Sequence, residues 1–200
     1  MRLSPGVKPL MRPVPRHWLK YQYYDPSRVL PRIHQTRMAV AESDLSTRVK
    51  SLRKNKLRGE RENWDAAVFA FLLSHACGVK VLLSREEAQD YDNIFCWKDG
   101  EDNCFAPVQM KELVPAELNP TASLEQIFKG IRKYVDSSDL IVAIKLNRLT
   151  TIDFDSLKPP TLPIKGIWLF GATHPRELQW SLFGYVQETW KRWDATLPEA

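Results

Sequence analysis

The chain is poor in the residues that mark the commonest nucleotide and metal sites. Its 200 residues contain only 8 glycines. None falls in a Gly-rich phosphate loop, so P-loop and Rossmann readings fail. The three cysteines, Cys77, Cys96 and Cys104, are too few and too irregular for a disulfide framework. Buried thiols are the preferred reading, ahead of a bridge across a hairpin or a zinc site. His17, His34, His75 and His174 lack metal-site spacing. No serine has a nucleophile-elbow context, and there is no internal repeat. No apolar run approaches the roughly eighteen residues of a membrane span. The N-terminus carries Arg2 and Lys8, but prolines follow rather than an apolar segment. No secretory signal is expected, and a reduced cytoplasmic setting is.

What is present begins with charge. Residues 1–58 hold 14 Lys+Arg against 3 Asp+Glu, a net of +11, whereas residues 59–200 carry a net of −6. A basic arm on an acidic body suggests an arm that meets polyanions. The competing reading is an arm that solubilises the chain or docks on the body. Prolines at 5, 9, 13, 15, 26 and 31 argue against regular elements over 1–42. Among them stand Arg12, Arg16, Trp18, Lys20, Tyr21, Tyr23 and Tyr24. Basic groups neutralise phosphates while aromatic faces stack on unpaired bases. Alternatively, the aromatics pack on the main domain or on a second subunit. A surface helix is expected from Asp44 to Leu57, its thin apolar stripe surrounded by basic residues, of which Arg53, Lys54 and Lys56 join Arg12, Arg16, Trp18 and Lys20 as candidate nucleic-acid contacts.

With 44% hydrophobic residues, the remainder can bury a core, giving the division into an arm (1–58) and an α/β domain (59–200). Trp64, Ala67, Val68, Phe71 and Leu72 predict a buried helix over Glu60–Ala76, ended by Gly78. Val79–Leu83 reads as a strand. Tyr91–Trp97 and Phe105–Leu113 then read as a hairpin about the polar stretch Lys98–Asn103. Ser123 and Gln126 fit a capping box heading a helix whose buried face runs Leu124, Ile127, Phe128, Ile131, Tyr134 and Val135. Asp139–Leu146 and Ile164–Gly171 are continuous apolar strands. Between them, Asp153–Pro163 is a proline-bearing loop. In the tail, Leu178, Leu182, Val186, Trp190 and Trp193 have helical spacing, with a strand left open for part of it by Gly184 and the aromatics. The sum is a mixed central sheet flanked by helices.

Asp92 opens one hairpin strand. Gln109 and Lys111, two apart on the other, leave one sheet face. An acid, an amide oxygen and an ammonium suit a divalent metal beside a phosphodiester. The bland alternative is that Asp92 caps a turn, Gln109 satisfies a backbone group and Lys111 is solvated.

This order, with its acid on the second strand and Gln-x-Lys on the third, resembles the PD-(D/E)xK nuclease superfamily over roughly Glu60–Gly171. The resemblance implies a restriction-endonuclease-like core of helix, three strands, helix and strand. It implies Asp92 as the metal-binding acid, Gln109 at the second acidic position and Lys111 as the lysine. Glu60 or Glu62 would be the helix glutamate that often completes the site, and Mg²⁺ (or Mn²⁺) the cofactor. Tyr91 stands where the family name has proline. Gln109 replaces the usual acid, as in some restriction-type branches, and removes a negative charge. Asp90 would supplement Asp92 if the strand begins there. The expected activity is metal-dependent hydrolysis of nucleic acid, DNA in the first instance. The alternatives are a binding or assembly protein with a decayed nuclease core, and a basic adaptor whose arm folds on a protein partner or a second copy.

Overall fold

The computed structural model describes residues 14–44, 58–86, 91–134, 137–174 and 178–199. Seven strands form one sheet in sequence order: β1 (Leu82–Ser84), β2 (Asn93–Asp99), β3 (Asp102–Leu113), β4 (Ser137–Leu146), β5 (Ile164–His174), β6 (Gln179–Val186) and β7 (Thr189–Thr196). The first three make an antiparallel meander. β3, β4 and β5 run parallel, and β6 and β7 close the sheet antiparallel. Helices α1 (Pro26–Glu42), α2 (Arg58–Cys77) and α3 (Leu124–Ile131) flank it. The expected mixed sheet flanked by helices is what forms.

Each sheet face is covered by a different helix. Residues Trp64 to Leu73 of α2 pack with Ala106 and Val108 of β3, Ile141 and Ala143 of β4, and Trp168 and Phe170 of β5. The alternate residues point the other way, as a pleated strand requires. Leu113, Val142, Ile144, Ile167 and Leu169 pack with Leu124, Phe128 and Ile131 of α3. The capping box forms, with Ser123 Oγ accepting from Gln126 N at 3.3 Å. Gly78 ends α2 at φ 66°, a left-handed position that costs glycine little. α3 stops at Ile131 rather than Val135, with the poor helix former Gly130 in its last turn.

Two expectations need correction. The arm is not irregular throughout. Pro26 opens α1 at a position where its missing N–H is no loss, and Asp25 caps it by accepting from Ser27 N at 3.0 Å. Leu30 of this helix is fully buried in the α2-side core. Secondly, the tail is a hairpin, not a helix. Gly184 fits because any Cβ there would lie 2.4 Å from the Trp168 ring. The preferred free-thiol reading holds over the bridge: Cys96 pairs with Phe105, and Cys104 with Trp97. The two thiols therefore leave opposite faces; all three cysteines are unpaired and half-buried. The surface helix expected over Asp44–Leu57 lies almost wholly outside the described residues.

Candidate functional site

The hairpin register builds the site. Asn93 pairs with Val108, and Asp92 N donates to Val108 O at 2.9 Å. Asp92 therefore stands opposite Gln109 on the α3 face. Its Oδ2 accepts from Gln109 Nε2 at 2.5 Å and from the Met110 N–H at 2.6 Å. These two bonds tie the Asp92 side chain to β3. Its other oxygen accepts no hydrogen bond among the described residues.

Lys111 leaves the same face, half-buried. Burial holds its ammonium below the usual lysine range; the Asp92 charge opposes this and Lys133 adds to it. Tyr134, just past α3, faces the same carboxylate. Burial, then the charge of Asp92, pushes its phenol up. Sequence reading assigned Tyr134 to the buried helix face. No local signal distinguishes that from a place beside Asp92, because the helix ends earlier than its periodicity suggests.

The arm borders this group. A 3-10 turn at Trp18–Lys20 presents Trp18, whose Nε1 donates to Tyr91 Oη at 3.1 Å while the rings meet edge-on at 5.9 Å. Tyr91 immediately precedes Asp92. A hydrogen bond with Tyr91 pushes the Tyr21 phenol up to about 12. Tyr23 Oη donates to Trp18 O at 2.9 Å, and its ring lies 5.9 Å from Phe105. The aromatics thus pack on the domain, as one of the two readings of the arm had it. Arg16 and Lys20 between them remain exposed.

The expected helix glutamate is not brought to this group. Glu60 and Glu62 lie in the first turns of α2, which packs on the opposite sheet face. Glu60 is exposed. Among the described residues no group of three or more His, Cys, Asp or Glu is placed to hold a metal. Arg12, Arg53, Lys54, Lys56 and Asp90 lie outside the described residues.

No protein-family model, curated protein or solved structure matches the chain.

A second polar cluster, on the α2 face, was not anticipated. Lys145 Nζ donates to Asp65 Oδ1 at 2.6 Å, both side chains about nine-tenths buried. Glu112, the register partner of Lys145, accepts from Asn147 Nδ2 at 2.6 Å. Burial pushes Asp65 up; Lys145 and Arg37 oppose this and Glu112 adds to it. Its signal in the sequence is one lysine inside the apolar run 140–146 and one aspartate inside an apolar helix.

Mg²⁺ takes oxygen ligands, keeps several waters and needs only one or two carboxylates beside a substrate phosphate. Asp92 has one oxygen without a partner among the described residues, and Gln109 presents its carbonyl if its amide rotates. The donor set thus fits a weakly held hard cation, with one carboxylate where two are usual.

Proposed function

We infer that the chain is a metal-dependent nuclease that hydrolyses DNA phosphodiester bonds, built on a restriction-endonuclease-like core. The observation that carries this is the convergence of Asp92, Gln109 and Lys111 on one face of the β2–β3 hairpin; exposed Arg16 and Lys20 flank Trp18, which is bonded to Tyr91 next to Asp92. The order α2, β1–β3, α3, β4 supports it, since it is the order that the resemblance implies.

Asp92 and Gln109 would hold Mg²⁺ or Mn²⁺, which supplies an activated water and charge neutralisation at the phosphate. The protein's part is positioning and electrostatics. Met110 N–H and the Gln109 amide fix the Asp92 carboxylate. Lys111, drawn out of bulk water, faces the growing phosphate charge in a medium where a fixed cation acts more strongly. Tyr134 stays neutral and offers one hydroxyl donor beside the same carboxylate. Arg16 and Lys20 neutralise neighbouring phosphates.

One observation favours a second reading, a nucleic-acid-binding or assembly protein with a degenerate core. Gln109 gives one amide hydrogen to Asp92 Oδ2, a link between the two side chains that needs no metal.

Cleavage of supercoiled and single-stranded DNA with Mg²⁺ or Mn²⁺ separates the two readings. The nuclease reading expects metal-dependent cutting that falls at least about a hundredfold in both Asp92→Ala and Lys111→Ala, the scale of losing a fixed charge from such a site. Binding without cutting by wild type leaves the degenerate core. Cutting that both variants retain rules out this site.

A further inference from the structure

A second basic site lies at the β1 edge of the sheet, away from Asp92. A cleft of about 650 Å³ opens there between α1 and β1, lined among others by Tyr23, Tyr24, Arg28, Arg32, Lys80 and Arg85. Four of these are cations from three separate segments, and all four are exposed. The one acid in the lining, Asp25, is already engaged: it caps α1 through Ser27 and pairs with Lys80 at 2.7 Å. Arg28 approaches it only to 3.9 Å. Neither Arg32 nor Arg85 has a carboxylate partner among the described residues. Arg85 instead lies 5.6 Å over the Tyr24 ring.

This concentration of charge does not serve the helix. Arg28 and Arg32 are one turn apart on one face of α1, a like-charge spacing that destabilises an isolated helix. Arg28 also falls in the first turn, where the helix dipole disfavours cations, and no acid occupies that turn. The cleft is also preformed. Tyr24 pairs with Leu83 through backbone bonds of 2.8 and 3.0 Å, which fixes the arm to the edge of the sheet.

We propose that this cleft binds the backbone of a nucleic-acid strand and guides it along the arm to the Asp92 site, an extension that rests on the nuclease reading. The arm itself links the two places. Trp18 is bonded to Tyr91 beside Asp92, Tyr23 lies on Phe105, and Tyr24 lines the cleft. β1 and β3 are two strand spacings apart, about 10 Å, a distance a short stretch of strand covers. Cations with interleaved aromatic faces suit phosphates and unpaired bases together. An acidic protein segment would use the cations alone.

The test is anisotropy of a fluorescein-labelled single-stranded oligonucleotide, titrated without metal at several salt concentrations. Wild type is compared with Asp92→Ala and with a triple variant, Arg28→Gln, Arg32→Gln and Arg85→Gln. Loss of three phosphate contacts makes the slope of log affinity against log salt shallower by about 2, and weakens binding about a hundredfold at 0.1 M salt. The corresponding triple lysine variant should keep the wild-type slope. Should the triple glutamine variant melt early, Arg32→Gln alone should change the slope by about 0.7. An unchanged slope and affinity in the glutamine variants overturns the proposal. So does selective loss of poly-glutamate binding with DNA binding intact, which assigns the cleft to an acidic protein. Asp92→Ala separates the two claims: it should bind as wild type does without cutting. If wild type does not cut but the glutamine variants still lose affinity, the nuclease reading fails and the cleft stands.

Discussion

At the scale of single residues, Asp92 and Lys111 are coupled in a way that fixes the sign of a measurement. Lys111 loses hydration on the hairpin face, which lowers the affinity of its amine for a proton; the Asp92 anion partly restores it. Removing that anion must lower Lys111 further. Asp92→Asn is therefore expected to shift the Lys111 titration to lower pH, read from the side-chain Nζ resonance by NMR. An unchanged midpoint would show that the two charges do not sense each other. A lysine whose folded value lies below its unfolded one destabilises the fold fully at pH below the depressed value and not at all above 10.5, so stability rises with pH through the window between them. Lys111→Met removes that pH dependence.

At the scale of elements, two junctions hold α2 and the tail in place. The Asp65–Lys145 pair ties α2 to β4 in a region almost without solvent. Leaving one charge behind is costly, about 3–5 kcal/mol, whereas replacing both by apolar residues of similar volume is near neutral or stabilising. Lys145→Met should thus lower the denaturation midpoint sharply, and Asp65→Leu with Lys145→Met should recover most of the loss. Equal damage in the single and double variants would mean that the pair contributes shape rather than charge. The β6–β7 hairpin turns on Gln187 and Glu188, both at positive φ, 53° and 63°. A two-residue turn of this kind favours Asn-Gly. Gln187→Asn with Glu188→Gly should stabilise the protein by about 1 kcal/mol, seen as a higher urea midpoint at constant slope. The same two residues explain why the tail read as a helix. Gln-Glu is no turn signal, and residues four apart, such as Leu178 and Leu182, satisfy both helical spacing and strand alternation.

At the scale of the whole molecule, the arm and the sheet act as one body. Trp18 anchors the arm beside Asp92, Tyr24 pairs with β1, and Leu30 enters the core. Trp18→Ala removes the anchor nearest the site. Trypsin should then cleave after Arg16 and Lys20 faster than in wild type, with global stability changed far less than by a core substitution. Cleavage at the wild-type rate would show that the Tyr24 and Leu30 contacts hold the arm unaided.

The sequence by itself determined what local preference and periodicity can encode. The apolar runs of β4 and β5, the stripe of α2, the Ser123 cap and the β2–β3 hairpin all follow from neighbours in the chain. So does the pairing of Gln109 with Lys111 on one face, because alternate strand residues must share it. Only the tertiary structure decided which helix covers that face. α2 buries Trp64, Ala67 and Val68 against Val108 and its face-mates, so Glu60 and Glu62 went with α2 to the far side while α3 came to Lys111. It also decided that the Asp92 oxygen is taken by Gln109, and that the basic residues of α1 meet Lys80 and Arg85 across a cleft. These are relations between segments distant in the chain, set by burying both faces of one sheet, and no spacing along the sequence records them.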